Sequence, residues 1–169
     1  MVENILSACG ITRLKQTKFS FGTTSAIITN LGLIVGLDKI AHPRLSMISA
    51  ILVIALADNI SDSLGIHIYQ ESECLDSREV WMSTLSNFLA RLLVSLSFIV
   101  IIVALPLRVA VPVALGWGLL LLSVLSYTIA KVRGVDRRMA IIEHLSIALV
   151  VVLASNFLSK WLLAYISKF

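Results

Sequence analysis

Continuous apolar runs, each long enough to cross a lipid bilayer, are the tightest constraint on what this chain can become. They cover residues 19–37, 45–70, 80–105, 109–130 and 139–163. A hydrocarbon core about 30 Å thick is crossed by roughly 20 helical residues. Inside it only helices or closed barrels satisfy their own backbone. Barrel strands alternate apolar and polar residues, and these runs do not. The expected fold is therefore an all-α membrane protein, a five-transmembrane-helix bundle forming a single domain over residues 19–169. Residues 1–18 form a cytoplasmic N-terminal segment, either a partly ordered tail or one in which Val2, Ile5, Leu6, Cys9 and Ile11 make a short interfacial face. Composition agrees, since 58% hydrophobic and 14% charged residues are too apolar for a soluble domain of 169 residues. The net charge of +4 does not point to nucleic acid. The basic residues sit at the ends of the runs, where topology and phospholipid account for them. Cys9 and Cys74 are isolated and suggest neither a disulfide framework nor a zinc site.

The second run is the informative one. Residues 50–73 begin as pure hydrocarbon and turn polar halfway, with no proline to interrupt one helix. At 1.5 Å per residue they reach about 36 Å, so the polar end should project from the membrane. Asp58 and Asp62 are one turn apart on a common row continued by Gly65 and Tyr69, with Asn59 and Ser61 beside it. Carboxylates at hydrocarbon depth are costly unless they face protein, water or a cation, which makes them candidates for a functional site. Two acids with Asn59 and Ser61 within about one turn suggest an oxygen-lined ion site. Two plainer readings stand beside it: hydration near the surface, or a structural ion pair with Arg91 of the third run. Arg91 itself could snorkel to the surface or face inward. At the projecting end His67, Glu71, Glu73, Asp76 and Glu79 form an acidic cluster suited to recruiting cations at a pore mouth, or to simple solvation.

The remaining runs read as follows. The first is rich in small and hydroxyl residues, and Gly32 with Gly36 allows close helix approach. Pro43 fits the first turn of the second helix, with His42 a solvated loop residue, and Pro106 ends the third. The fourth run, with Pro112 in its first turn, reads as lipid-facing scaffold. Glu143 and His144 fall near the start of the fifth, and Trp161 and Tyr165 suit an interfacial belt. Five spans put the termini on opposite sides. Arg13, Lys15, Lys18, Arg78, Lys131, Arg133, Arg137 and Arg138 fall on one side and Lys39, Arg44, Arg108, Lys160 and Lys168 on the other. The positive-inside rule then gives a cytoplasmic N-terminus and an external C-terminus.

Three stretches resemble the vacuolar iron transporter family, also called the nodulin-21-like family. The first is Gly32-Leu-Ile-Val-Gly36, closing a hydroxyl-rich span. The second is Ile60-Ser-Asp-Ser-Leu-Gly-Ile-His-Ile-Tyr-Gln-Glu-Ser-Glu73, similar to the family's Ser-Met-Ala-x-Gly-Glu-Tyr/Phe-x-Ser-x-x-Ser-Gln/Glu. The third is Ala130-Lys-Val-Arg-Gly-Val followed by Arg138-Met-Ala. The resemblance runs in order over residues 19–166. It implies a homodimer with the ion path between two copies of the first span, and proton-coupled export of Fe²⁺ or Mn²⁺ from the cytosol. The family handles metal with an Asp in span one and a Met and a Glu in span two. Here Ser25, Asp62 and Ile66 stand in those places, and only residues 71–79 remain of the family's long metal-binding insertion. Exchanging thioether for carboxylate gives a harder, all-oxygen site, built from Asp58, Asp62, Asn59, Ser61 and hydroxyls such as Ser25 and Thr29. In a dimer each ligand appears twice. Crowded carboxylates hold protons when no cation is present, so protons and a divalent ion would compete for one site.

The expected function is thus divalent metal transport, with no cofactor, and with metal ions, protons, a second copy and the bilayer as partners. The alternative is a non-transporting membrane protein of the same fold, held by an Arg91–Asp network. An enzyme is not expected: the sequence has no HExxH, no phosphate loop and no nucleophile–His–acid arrangement.

Overall fold

A computed structural model describes residues 22–166, which fold entirely as helices and short loops. Helix α1 covers Gly22–Leu37, α2 Pro43–Ser72, α3 Ser77–Ala104, α4 Leu107–Arg133 and α5 Arg137–Ile166. Four of the five are long and apolar enough to cross a membrane, and α1 is a shorter apolar helix. This is the architecture of a multi-pass membrane protein. The expected N-terminal segment 1–18, including Cys9, lies outside the described residues, as do the first residues of the first expected span.

Local chemistry sets the helix ends. Pro43 opens α2, where its missing N–H costs nothing. Asp76 caps α3 by accepting from the Arg78 amide at 3.2 Å, and Asp136 caps α5 by accepting from the Arg138 amide at 2.8 Å. Gly134 ends α4 at φ 68°, a left-handed conformation that glycine adopts without strain. Lys131 and Arg133 occupy the last turn of α4, where cations complement the helix dipole.

One expected detail is corrected. Helix α4 starts at Leu107 because the amides of Val109 and Ala110 both reach the Pro106 carbonyl, at 2.8 and 2.9 Å. Pro112 therefore lies inside the helix rather than in its first turn. Its ring leaves the Arg108 carbonyl without the usual helical donor.

Short loops make α2 and α3 antiparallel neighbours. Arg44 at the start of α2 donates to the Leu105 carbonyl at the end of α3, at 2.6 Å. Helix α4 buries a single row of mostly small residues, Ala110, Ala114, Gly118, Leu122, Ser126 and Ala130. Gly118 lets α1 approach, since a Cβ there would come within 2.5 Å of Leu31. Gly32 does the same for α5, where a Cβ would meet Ser155 and Val151 at 3.1 Å. None of residues 22–38 is exposed, so α1 is the inner helix. Helix α5 is the outer one, with Ala148 alone buried. Ile27, Leu31, Ile34, Met47, Ile51, Phe98, Ile102 and Leu122 belong to one apolar core, with Met47, Ile51, Phe98 and Ile102 in the parts of α2 and α3 away from their connecting loop.

Candidate functional site: an arginine–dicarboxylate centre

The buried rows of α2 and α3 carry polar residues at intervals of four. On α2 these are Asn59, Ser63 and His67. On α3 they are Asn87, Arg91 and Ser95, with Ser83 one turn before them. Four-residue spacing keeps a row on one helix face, and the antiparallel register brings the two rows together. Gln70 donates to Ser83 at 2.9 Å, and His67 Nδ1 lies 3.0 Å from Thr84 Oγ1. Asn87 donates to Ser63 at 3.1 Å, and Asn30 of α1 donates to Ser95 at 3.1 Å.

Arg91 is the centre of this seam. Its side chain is fully buried, with 0% exposure, and each guanidinium nitrogen has a partner. Nε donates to Asn59 Oδ1 at 2.7 Å, Nη2 to Asp58 at 2.6 Å, and Nη1 to Asp62. The planar fork of arginine suits three converging acceptors in a way the point charge of lysine does not. Gly22 of α1 packs beside it, leaving room for the Asn87 amide and the Arg91 chain. Of the two fates expected for Arg91, it adopts the inward one.

The centre lies deep. On α3 the outward large apolar residues run from Trp81 through Met82, Leu85, Leu89, Leu93, Leu96 and Val100 to Val103. That stripe is about 33 Å long at the helical rise, close to the hydrocarbon thickness. Arg91 sits near its middle. On α2 the corresponding stripe runs from Leu45 through Leu52, Leu56, Ile60 and Leu64 to Ile68, and Asp58 is near its middle.

One guanidinium facing two carboxylates leaves one net negative charge. The carboxylates are not enclosed like the arginine: the Asp58 side chain is 43% exposed and that of Asp62 34%. Each gives one oxygen to Arg91 while its side chain stays partly open to the surroundings.

Several candidate residues fall elsewhere. Ser61 is exposed on the outer face of α2, a turn of roughly 100° away from the row that meets Arg91. Ser25 and Thr29 share the α1 stripe of Gly32 and Gly36 and make no hydrogen bond to the centre. His67 is buried, turned inward onto Thr84 with its ring edge-to-face on Trp81 at 4.5 Å. It meets Glu71 at 3.3 Å through Nε2. Glu73, Asp76 and Glu79 are exposed, Asp76 being occupied as a helix cap. Among the described residues no group of three metal-ligating side chains forms, so the acidic cluster is spread rather than gathered. At the far side of the bundle His144 meets Ser126 at 2.8 Å, and Glu143 is exposed.

The chain matches no family model, no curated protein and no solved structure.

Proposed function

We propose that this protein is a membrane transporter of divalent cations, coupled to protons, in which Asp58, Asp62 and Arg91 form the exchange centre. The supporting observation is one fully buried guanidinium facing two carboxylates whose side chains stay 43% and 34% exposed. A single uncompensated charge at the bilayer centre costs roughly 3 kcal/mol on insertion scales. A pair of protomers facing each other through these acids would carry two such charges. One divalent cation or two protons would neutralise them equally well, so exchange of one for the other moves no net charge. Arg91 acts as the resident counter-cation: it holds and spaces the two acids while a metal or proton meets their open side. The all-oxygen donor set suits Mn²⁺ and Fe²⁺ among other hard or borderline ions. The positive-inside count favours a cytosolic α2–α3 loop, and export is the working direction of this reading.

A second reading has an observation of its own. Every guanidinium nitrogen of Arg91 is partnered, as in a purely structural network. The two readings separate in proteoliposomes containing the full chain. Transport predicts Mn²⁺ or Fe²⁺ uptake opposed by protons and lost in Asp58→Asn and Asp62→Asn variants that still fold. It also predicts a Mn²⁺-dependent rise in melting temperature, because a bound ligand at 100 times its Kd stabilises by about 2.7 kcal/mol. No uptake and no shift with any divalent ion would leave the structural reading.

A further inference from the structure

Two loops at one end of the bundle carry opposite charge. Helices α2 and α4 end there, and α3 and α5 begin there. Residues 71–79, around the α2–α3 loop, hold four acids and one cation. Residues 131–138, around the α4–α5 loop, hold one acid, Asp136, and four cations, Lys131, Arg133, Arg137 and Arg138. All four of these cations are exposed, and among the described residues none of them forms an ion pair. Asp136 is taken up instead as the α5 cap, accepting the Arg138 amide at 2.8 Å.

The turn that presents the cations is fixed. Gly134 reverses the chain at φ 68°, and the Val135 amide closes onto the Ala130 carbonyl at 3.1 Å, a bond of the kind that ends helices at glycine. Arg137 then reaches back from α5 to α4. Its guanidinium lies 5.4 Å from the centre of the Tyr127 ring, and Nη1 donates to the Tyr127 hydroxyl at 3.4 Å. A ring face holds an arginine in place without removing its charge. The height of this corner suits headgroups. From Leu107 to Tyr127 α4 rises about 30 Å, the thickness of the hydrocarbon core. Leu120, Val124, Tyr127 and Lys131 follow at helical spacing on one side of α4, all exposed. That row passes from hydrocarbon to phenol to ammonium, the sequence of a membrane interface. On α5 Arg138 heads a similar row, with Ile142 and Leu149 exposed below it.

We propose that the α4–α5 corner is a binding surface for anionic phospholipid, where Lys131, Arg133, Arg137 and Arg138 take the phosphates of headgroups in the adjoining leaflet. Charge complementarity selects this occupant. Guanidinium groups match phosphate oxygens in geometry as well as sign, and the apolar rows below receive the acyl chains. The acidic α2–α3 loop at the same end repels such headgroups, so anionic lipid gathers on the α4–α5 side. The surface stands apart from the exchange centre: Asp58, Asp62 and Arg91 enter neither it nor its test.

The test uses the full chain in detergent, titrated with phosphatidylglycerol or phosphatidylcholine, with native mass spectrometry counting the lipid retained. Wild type should hold phosphatidylglycerol in preference. Each cation beside an anionic headgroup is worth about fivefold in affinity. Lys131→Gln, Arg137→Gln and Arg138→Gln should each lose about that factor, and the triple variant about 10²-fold. Their melting temperatures without lipid should match wild type, because the replaced side chains are exposed. Arg108→Gln and Lys160→Gln remove exposed cations toward the opposite end of the bundle, and together they should change binding far less. A wild type with no preference for phosphatidylglycerol, an equal loss on removing the opposite cations, or displacement of the lipid by inorganic phosphate would each overturn the proposal. So would a triple variant that dissociates an oligomer in phosphatidylcholine alone, which would give the corner to the acidic loop of a second copy.

Discussion

Arg91 of α3 holds Asp58 of α2 at 2.6 Å, the guanidinium fully buried and the carboxylate 43% exposed, midway along the outward apolar stripes of both helices. The contact joins the two longest runs of the polar seam and sets the charge of the centre.

Removing the guanidinium should be costly. Breaking a buried pair by deleting one partner typically loses about 3–5 kcal/mol. At about 2–4 °C per kcal/mol for a chain of this size, Arg91→Met should melt at least 6 °C lower in detergent. Arg91→Lys should recover only part of the loss, because one ammonium cannot serve three acceptors in a plane. Adding Asp58→Asn and Asp62→Asn to Arg91→Met should restore most of the stability while abolishing any cation response. A neutral triple variant as unstable as the single one would contradict this account of the centre.

The glycines should divide into two kinds. A Cβ at Gly22 would overlap the Asn87 amide, and one at Gly118 would crowd Leu31. Overpacking of this type costs about 1–3 kcal/mol, so Gly22→Ala and Gly118→Ala should lower the melting temperature. Gly116 has nothing within 4 Å of that position, and Gly116→Ala should not lower it. Parallel melts of the three variants decide the matter.

Burial should decide the cost of trimming α3. Phe98 is fully buried, so Phe98→Ala leaves a cavity and should cost about 3–5 kcal/mol. Val100 is exposed on the outer side of the same helix, and Val100→Ala should leave the melting temperature nearly unchanged. Equal losses in the two variants would contradict this packing.

A smaller effect is expected between α4 and α5. Ser126 donates to the Leu122 carbonyl at 2.6 Å and meets His144 at 2.8 Å. Ser126→Ala removes one hydrogen bond worth about 1 kcal/mol. A drop of about 2–4 °C in melting temperature is expected, with proton and metal responses unaltered.

Much of the fold was legible because it depends on local chemistry. Run length alone marks long apolar helices, and Pro43, Pro106 and Gly134 mark turns through their fixed or permissive φ. The polar seam left a trace as well: Asn59, Ser63, His67 and Glu71 recur every four residues, as do Ser83, Asn87, Arg91 and Ser95. Read together, these two rows would have located the interior face of both helices. Ser61, Ser25 and Thr29 lie near the acids in sequence or carry suitable hydroxyls, and neither property fixes a direction.

The sequence by itself determined that the chain is helical and membrane-spanning, where its helices turn, and which residues share a helix face. Tertiary structure alone decided that Arg91 points inward onto Asp58, Asp62 and Asn59, and that His67 turns onto Thr84. In a soluble bundle the polar side of a helix identifies solvent, so rotation can be read from the pattern. Here lipid and core are equally apolar, and the rotation of each helix is settled only when its few polar groups find one another.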